Sequence, residues 1–192
     1  LRANNSMLKS DICIAMIDGD EGLAVQDLRV MGQALESGSG LVLAVNKWDI
    51  CEKRGIDRGI FRESVQAKHP FLADFPMVFI SALTGKSVHK CLETVFRVQD
   101  RRQQRVSTSK LNRFMERLEA RAPASGGRGE TRLFYATQQG IEPPTFILFY
   151  NRPENISDAH KRFIEKSLRK EFDLIGTPIR IQLRRRRNDS DQ

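Results

Sequence analysis

Two hydrophobic rhythms follow one another along the 192 residues. Up to about residue 104, short apolar runs alternate with amphipathic stretches, the pattern of a parallel sheet with crossover helices. The runs Asp11 to Ile17, Leu41 to Asn46 and Pro76 to Ile80 are aliphatic or β-branched and nearly unbroken, as strands buried on both faces should be. Between them, Ala24 to Leu35, Gly59 to Ala67 and Val88 to Gln103 read as helices. Three strands make a small sheet for a doubly wound domain, so the pattern predicts an exposed edge.

The rhythm changes after the polar segment Arg101 to Lys110, which carries Arg101, Arg102 and Arg105 and then Ser107-Thr108-Ser109, and serves as a linker with helix N-cap residues. Leu111, Phe114, Met115 and Leu118 fall on one helical face. A glycine-rich loop, Ser125 to Gly129, leads to a strand at Arg132 to Thr137, a turn over Gly140 to Pro144 and a strand at Thr145 to Tyr150. A helix over Ser157 to Phe172 and a strand over Pro178 to Leu183 complete an α+β layer with a three-stranded sheet, and Arg184 to Arg187 form a basic exit.

Composition adds partners rather than fold. No apolar stretch approaches the ~20 residues that a membrane-spanning helix needs, so a membrane role is not expected. The first residues, Leu-Arg-Ala-Asn-Asn, match no secretory signal, and without an initiator methionine the chain is expected to start within a gene. Cys13, Cys51 and Cys91, with His69, His89 and His160, give no zinc-type spacing, and the cysteines are expected to be buried or idle thiols in a reducing cytoplasm. Of the net charge of +8, residues 1–104 supply almost none, with 14 Lys and Arg against 13 Asp and Glu; residues 105–192 carry 18 against 11. A basic second domain on a neutral first one points to a polyanion, foremost RNA.

The candidate chemistry lies at Asn46-Lys47-Trp48-Asp49, directly after the apolar strand, where ligands of parallel sheets sit. An ionised Asp49 has two acceptor oxygens for the N1 hydrogen and the 2-amino group of guanine, and adenine lacks both donors. Asn46 can tie the loop and approach N7, while Lys47 can lay its aliphatic stem on the base with its ammonium in water. The next strand runs into Ser81-Ala82-Leu83-Thr84-Gly85, a tight loop of small residues able to aim a backbone N–H, that of Ala82 or its neighbour, at O6.

These residues resemble the fourth and fifth motifs of translation-factor-type GTPases. The likeness extends to Asp18-Gly19-Asp20-Glu21-Gly22 after the first strand and to Ser107-Thr108-Ser109 with Leu111-Asn112. Further on, Tyr135-Ala136-Thr137-Gln138, Pro143-Pro144-Thr145-Phe146 and Gly176-Thr177-Pro178-Ile179-Arg180 look like the KH-like domain of the Der/EngA family. The resemblance implies an α/β fold: residues 1–104 as the end of a P-loop GTPase-type G domain without its phosphate-binding half, and residues 105–192 as a KH-like domain with a basic tail. It also implies a monomeric cytoplasmic GTPase acting in assembly of the large ribosomal subunit, with GTP or GDP as ligand. The guanine-binding set is Asn46, Lys47, Asp49, Ser81, Ala82 and Leu83; Mg²⁺ belongs to the intact family protein and takes no ligand here. Two other readings stay open: a non-enzymatic RNA- or ribosome-binding module, and a fragment of an Era-like GTPase with a single G domain.

Three stretches imitate sites they do not form. Hydrolysis needs a phosphate loop and a loop that positions water. Thr84-Gly85-Lys86-Ser87 looks like the end of such a phosphate loop, but Ile80 stands where its first glycine belongs, so no catalytic residue is assigned. Asp18 to Gly22 has Glu21 where an Asp-x-x-Gly motif needs glycine, and reads as a solvated turn. Gly126-Gly127-Arg128-Gly129 satisfies the Gly-x-x-Gly of KH domains but falls between the first helix and first strand, where that clamp is not found. RNA contact is therefore assigned to the basic surface, with Arg128, Arg184, Arg185, Arg186 and Arg187 as candidates for salt-sensitive binding.

Overall fold

A computed structural model describes residues 10–122 and 131–186. They form two compact units: residues 10–102 together with Ile175–Pro178, and residues 103–174 together with 179–186, less the segment not described.

The first unit is built on strands β1 (Ile12–Asp18), β2 (Gly40–Asn46) and β3 (Met77–Phe79), paired in that order and all parallel. The backbone bonds from Leu43 N–H to the Pro76 carbonyl and from Ile80 N–H to the Val45 carbonyl carry the β2–β3 pairing one residue past each end of β3. Residues Leu41 to Val45 are wholly buried because β2 has a core on each side. Leu41, Leu43 and Val45 pack with Ile17, Met31 and Trp48, whereas Val42 and Ala44 pack with Val78, Ile80, Cys91 and Val98. That two-sided burial is why β2 reads as an unbroken apolar run.

β1 reads the same way but is not buried on both faces. Ile14 is 43% and Met16 57% exposed, because β1 is an edge of the described sheet and one of its faces is open. The helices are α1 (Val25–Ser37), α2 (Trp48–Lys53), α3 (Arg58–Lys68) and α4 (Val88–Gln103). Asp57 caps α3 by accepting from the N–H groups of Gly59 and Ile60. α4 buries Cys91, Thr94, Val98 and Arg102, one helical stripe. The Arg102 guanidinium, only 3% exposed, donates to the carbonyls of Gly38 and Asp11 and so ties the end of α4 to the start of the sheet.

Ile175–Pro178 belongs to the first unit through backbone bonds. The Leu41 N–H donates to the Gly176 carbonyl at 2.8 Å, and the Gly176 N–H donates to the Asp74 carbonyl at 2.9 Å. Gly176 has φ +88° and lies so close to Val98 that a Cβ there would be 2.5 Å from Val98 Cγ2; only glycine fits.

The second unit contains α5 (Thr108–Arg121), β4 (Leu133–Gly140), β5 (Thr145–Tyr150), α6 (Asp158–Glu171) and β6 (Arg180–Arg185). β4 pairs antiparallel with β5, and β6 joins the other side of β5 in parallel, a connection that requires the crossover through α6. The four apolar positions predicted for α5, Leu111, Phe114, Met115 and Leu118, are all buried against Phe146, Leu148, Tyr150, Ile164 and Leu168. Ser107 and Ser157 cap α5 and α6 through their hydroxyls.

Two expectations change here. The linker is shorter than Arg101 to Lys110: α4 continues to Gln103 and α5 starts at Thr108, leaving four extended residues. Arg184 and Arg185 are not an exit segment, because β6 runs on to Arg185 in register with Phe149 and Tyr150. Arg128, the glycine-rich loop around it and Arg187 lie outside the described residues.

Candidate functional site

The segment Asn46 to Asp49 lies at the carboxyl end of β2, beside the loop that follows β3. Trp48 fixes it. Trp48 is 2% exposed and packs on Phe79 at 4.3 Å and edge-on to Phe61 at 5.4 Å, while its neighbours Lys47 and Asp49 are exposed and half-buried. Trp48 opens α2, a helix of six residues. A helix this short has no periodic pattern to read in sequence, and it places Asp49 in a first turn.

The two loops meet at two hydrogen bonds. Asn46 Oδ1 accepts from the Ala82 N–H at 2.9 Å, and the Trp48 N–H donates to the Ile80 carbonyl at 3.0 Å. Ala82 N–H is thus occupied by Asn46. The next amide, that of Leu83, has no protein acceptor among the described residues, and Leu83 is 91% exposed. Ser81 is buried; its hydroxyl accepts from the Thr84 N–H at 3.3 Å and its own N–H donates to the Lys86 carbonyl, which shapes the turn. The Asp49 carboxylate is half-buried and receives no hydrogen bond from any described residue. An open bidentate acceptor and an open N–H on adjoining loops suit a planar ligand with paired donors and a nearby acceptor.

Lys47 has φ 59°, in the left-handed region that a non-glycine residue enters at some cost. Its side chain is exposed, and its ammonium pairs with Asp18 Oδ2 at 2.5 Å. That hydrogen bond first, and then those from the Asp20 and Glu21 N–H groups, hold the Asp18 carboxyl below its ordinary range; the same bond and the Asp18 charge hold the Lys47 ammonium above its own. Asp18 to Gly22 is a turn with Asp20 and Glu21 exposed, and within it Asp18 carries the added role of holding Lys47. Its register opposite Asn46 was the signal, but only sheet pairing reveals it.

Gly19 permits the approach. It donates to the Asn46 carbonyl at 2.8 Å, and a Cβ would stand 2.9 Å from that oxygen and from Cys51 Sγ. A second ion pair closes the other side: Lys86 Nζ lies 2.5 Å from Glu52 Oε2, which lowers the Glu52 carboxyl and uses the lysine that imitated a phosphate-loop residue. Neither Asp18 nor Glu52 was among the residues expected to take part.

Comparison with known proteins follows the same division. Residues 2–100 match the family described as the elongation factor Tu GTP binding domain, and residues 105–184 match the KH-domain-like of EngA bacterial GTPase enzymes, C-terminal. A GTPase Der from Caldanaerobacter subterraneus subsp. tengcongensis is 38% identical over 98% of this chain and 43% of its own length. A GTPase Der from Gemmatimonas aurantiaca is 42% identical over 97% of this chain and 43% of its own length. Among solved structures, Era from Aquifex aeolicus aligns over 95% of this chain and 67% of its own, at 17% identity and a TM-score of 0.42, too loose a likeness to carry weight. Two adjoining family matches and relatives aligned across nearly every residue lead to one statement: the chain belongs to the Der/EngA family of GTPases and spans 43% of the length of the curated relatives it matches.

Proposed function

We propose that this chain reads the guanine base of GTP or GDP for a GTPase of ribosome assembly, and that its second half contacts the large ribosomal subunit or its RNA. Residues 1–104 act as the base-reading end of a G domain and residues 105–192 as a KH-like domain, in a monomeric protein of the cytoplasm. Asp49 accepts from N1 and the 2-amino group. Leu83 N–H, beside the Ala82 amide held by Asn46, donates to O6. Lys47, pinned by Asp18, lays its stem against the base, and Ser81 shapes the turn. Mg²⁺ accompanies the phosphates in the intact protein and takes no ligand from these residues. Without a phosphate loop, the 192 residues alone turn over GTP negligibly, and brisk Mg²⁺-dependent hydrolysis by them would overturn that part.

The observation that carries the reading is the 2.9 Å bond from Ala82 N–H to Asn46 Oδ1, which joins the two loops beside an Asp49 with no partner among the described residues. The test is amide NMR of the chain with added nucleosides. Guanosine should shift Asn46, Asp49 and Leu83, and adenosine should not. Asp49→Asn should weaken the guanosine response about tenfold or more, because one acceptor oxygen becomes a donor facing the 2-amino group. The same variant should gain a response to xanthosine, whose carbonyl at that position accepts from the new amide. Equal shifts with adenosine, or an unchanged guanosine response in Asp49→Asn, sinks the proposal.

A further inference from the structure

The sheet of the second unit has one face that its helices do not use. Side chains alternate across it, so Ala136, Leu148 and Leu183 face the helical core while Tyr135, Phe149 and Arg184 form one row on the opposite face, joined by cross-strand register. In that row the rings of Tyr135 and Phe149 are stacked, 4.2 Å apart and 15° from parallel. Tyr135 is nevertheless 42% exposed, and it lies on β4, an edge strand among the described residues, so one ring face meets Phe149 and the other has no described strand beside it. In the next row on this face Ile147 is buried, Thr137 is half-buried and Gln182 is exposed, so Tyr135 supplies the exposed aromatic surface.

Cations border the row. Arg184 is exposed and its guanidinium meets only the Gln182 side chain, with no carboxylate among the described residues. Arg186, also exposed, lies 5.0 Å from the centroid of Phe134, the extra residue of a register shift in β4. Arg185 differs: it is paired with Glu154 at 2.6 Å. An exposed ring stacked on a half-buried one, bordered by two guanidinium groups with no carboxylate partner among the described residues, is an arrangement that nucleic-acid-binding sheets use, since every base has a π face and every nucleotide a phosphate.

We propose that this face binds single-stranded RNA, with a base stacking on the free side of Tyr135 to extend the Tyr135–Phe149 pile, and with Arg184 and Arg186 meeting the adjoining phosphates. The inference deepens the proposed RNA contact: it rests on that reading and moves it from general positive charge to a defined stacking row. A protein partner fits less well, because the row lacks the broad apolar core around a central anchor that protein interfaces bury. Duplex RNA fits less well still, since its bases are already stacked and offer no π face.

The experiment is fluorescence anisotropy of the 192-residue chain with a labelled single-stranded oligoribonucleotide of about ten residues, a length suited to one such platform, and with a duplex of equal charge. Tyr135→Leu keeps an apolar residue on the strand and should lower single-strand affinity about tenfold, with duplex binding unchanged. Tyr135→Phe should restore the single-strand affinity. Arg184→Gln should reduce the salt slope of binding by about one. Circular dichroism of each variant reports whether the sheet survives. If the parent chain binds both RNAs and Tyr135→Leu binds the single strand equally well, the stacking row is wrong and the basic-surface reading stands. If the parent chain binds neither RNA at low salt, both fail. If Tyr135→Leu loses only the binding of ribosomal protein, the face is a protein contact and this proposal is overturned.

Discussion

Single residues complete the edges that the strands leave open. Asn112 accepts from the Ala136 N–H at 2.8 Å and returns a bond to the Ala136 carbonyl at 2.9 Å, acting as a strand neighbour on the free side of β4. Ala136 is fully buried, so Asn112→Ala leaves two backbone groups without partners. The substitution should cost about 1–3 kcal/mol, read as a lower urea midpoint with an unchanged slope. A loss within about 0.5 kcal/mol would show that water replaces the asparagine. Tyr150, also fully buried, donates its hydroxyl to Glu119 at 2.5 Å. Burial first, and then that bond, pushes its phenol well above the ordinary range. A raised folded-state pKa means that the contribution is complete below the unfolded value of about 10 and shrinks above it, where only the unfolded chain ionises. Stability measured by denaturant titration should therefore fall as pH climbs past about 10, and Tyr150→Phe should flatten that part of the profile. An identical alkaline slope in both proteins would assign the effect elsewhere.

Elements were legible where their pattern was long enough. The spacing of Leu111, Phe114, Met115 and Leu118 gave the buried stripe of α5, and the Val88 to Gln103 pattern gave α4 at its observed ends. The six residues of α2 were not legible, since fewer than two turns carry no periodicity. The apolar text of β1 resembles that of β2, yet one lies at an edge and the other in the middle, and hydrophobicity alone does not encode neighbours. The consequence at β1 is an exposed row with Ile14 and Met16 beside backbone that pairs with no described strand on that side, the arrangement that invites pairing with another strand. Met16→Lys should change stability by less than about 0.5 kcal/mol, since the side chain is mostly in water, while reducing light scattering of concentrated samples. Unchanged scattering would mean that association runs through a different surface.

Across the whole molecule, rhythm and charge change near residue 104 while the described residues divide after Arg102, with Ile175–Pro178 joining the first unit; the strand-end position of Asn46 to Asp49 pointed to the candidate site. What stayed hidden were partnerships between distant residues. Asp18 with Lys47, Glu52 with Lys86, and Gly176 with Leu41 are separated in sequence and leave no local trace. Gly176-Thr177-Pro178 was read with the second domain, as part of its family-like stretch and the start of its last strand, whereas Gly176 supplies a carbonyl to Leu41 of β2 in the first unit. Gly176→Ala combines a positive φ with a Cβ placed against Val98 and should lower stability by about 1 kcal/mol or more, seen as an earlier thermal midpoint. An unaltered midpoint would mean that the segment detaches without loss.

The same four residues, Ile175–Pro178, bear on how the molecule can be dissected. A nick or gene truncation near residue 104 would strip the amino-terminal body of a piece encoded about seventy positions downstream, leaving the Leu41 amide and the Asp74 carbonyl to find solvent. A recombinant version of that body would need the missing loop returned to it as a grafted peptide, and its affinity for that peptide would measure how far the chain's two halves depend on remaining one polymer.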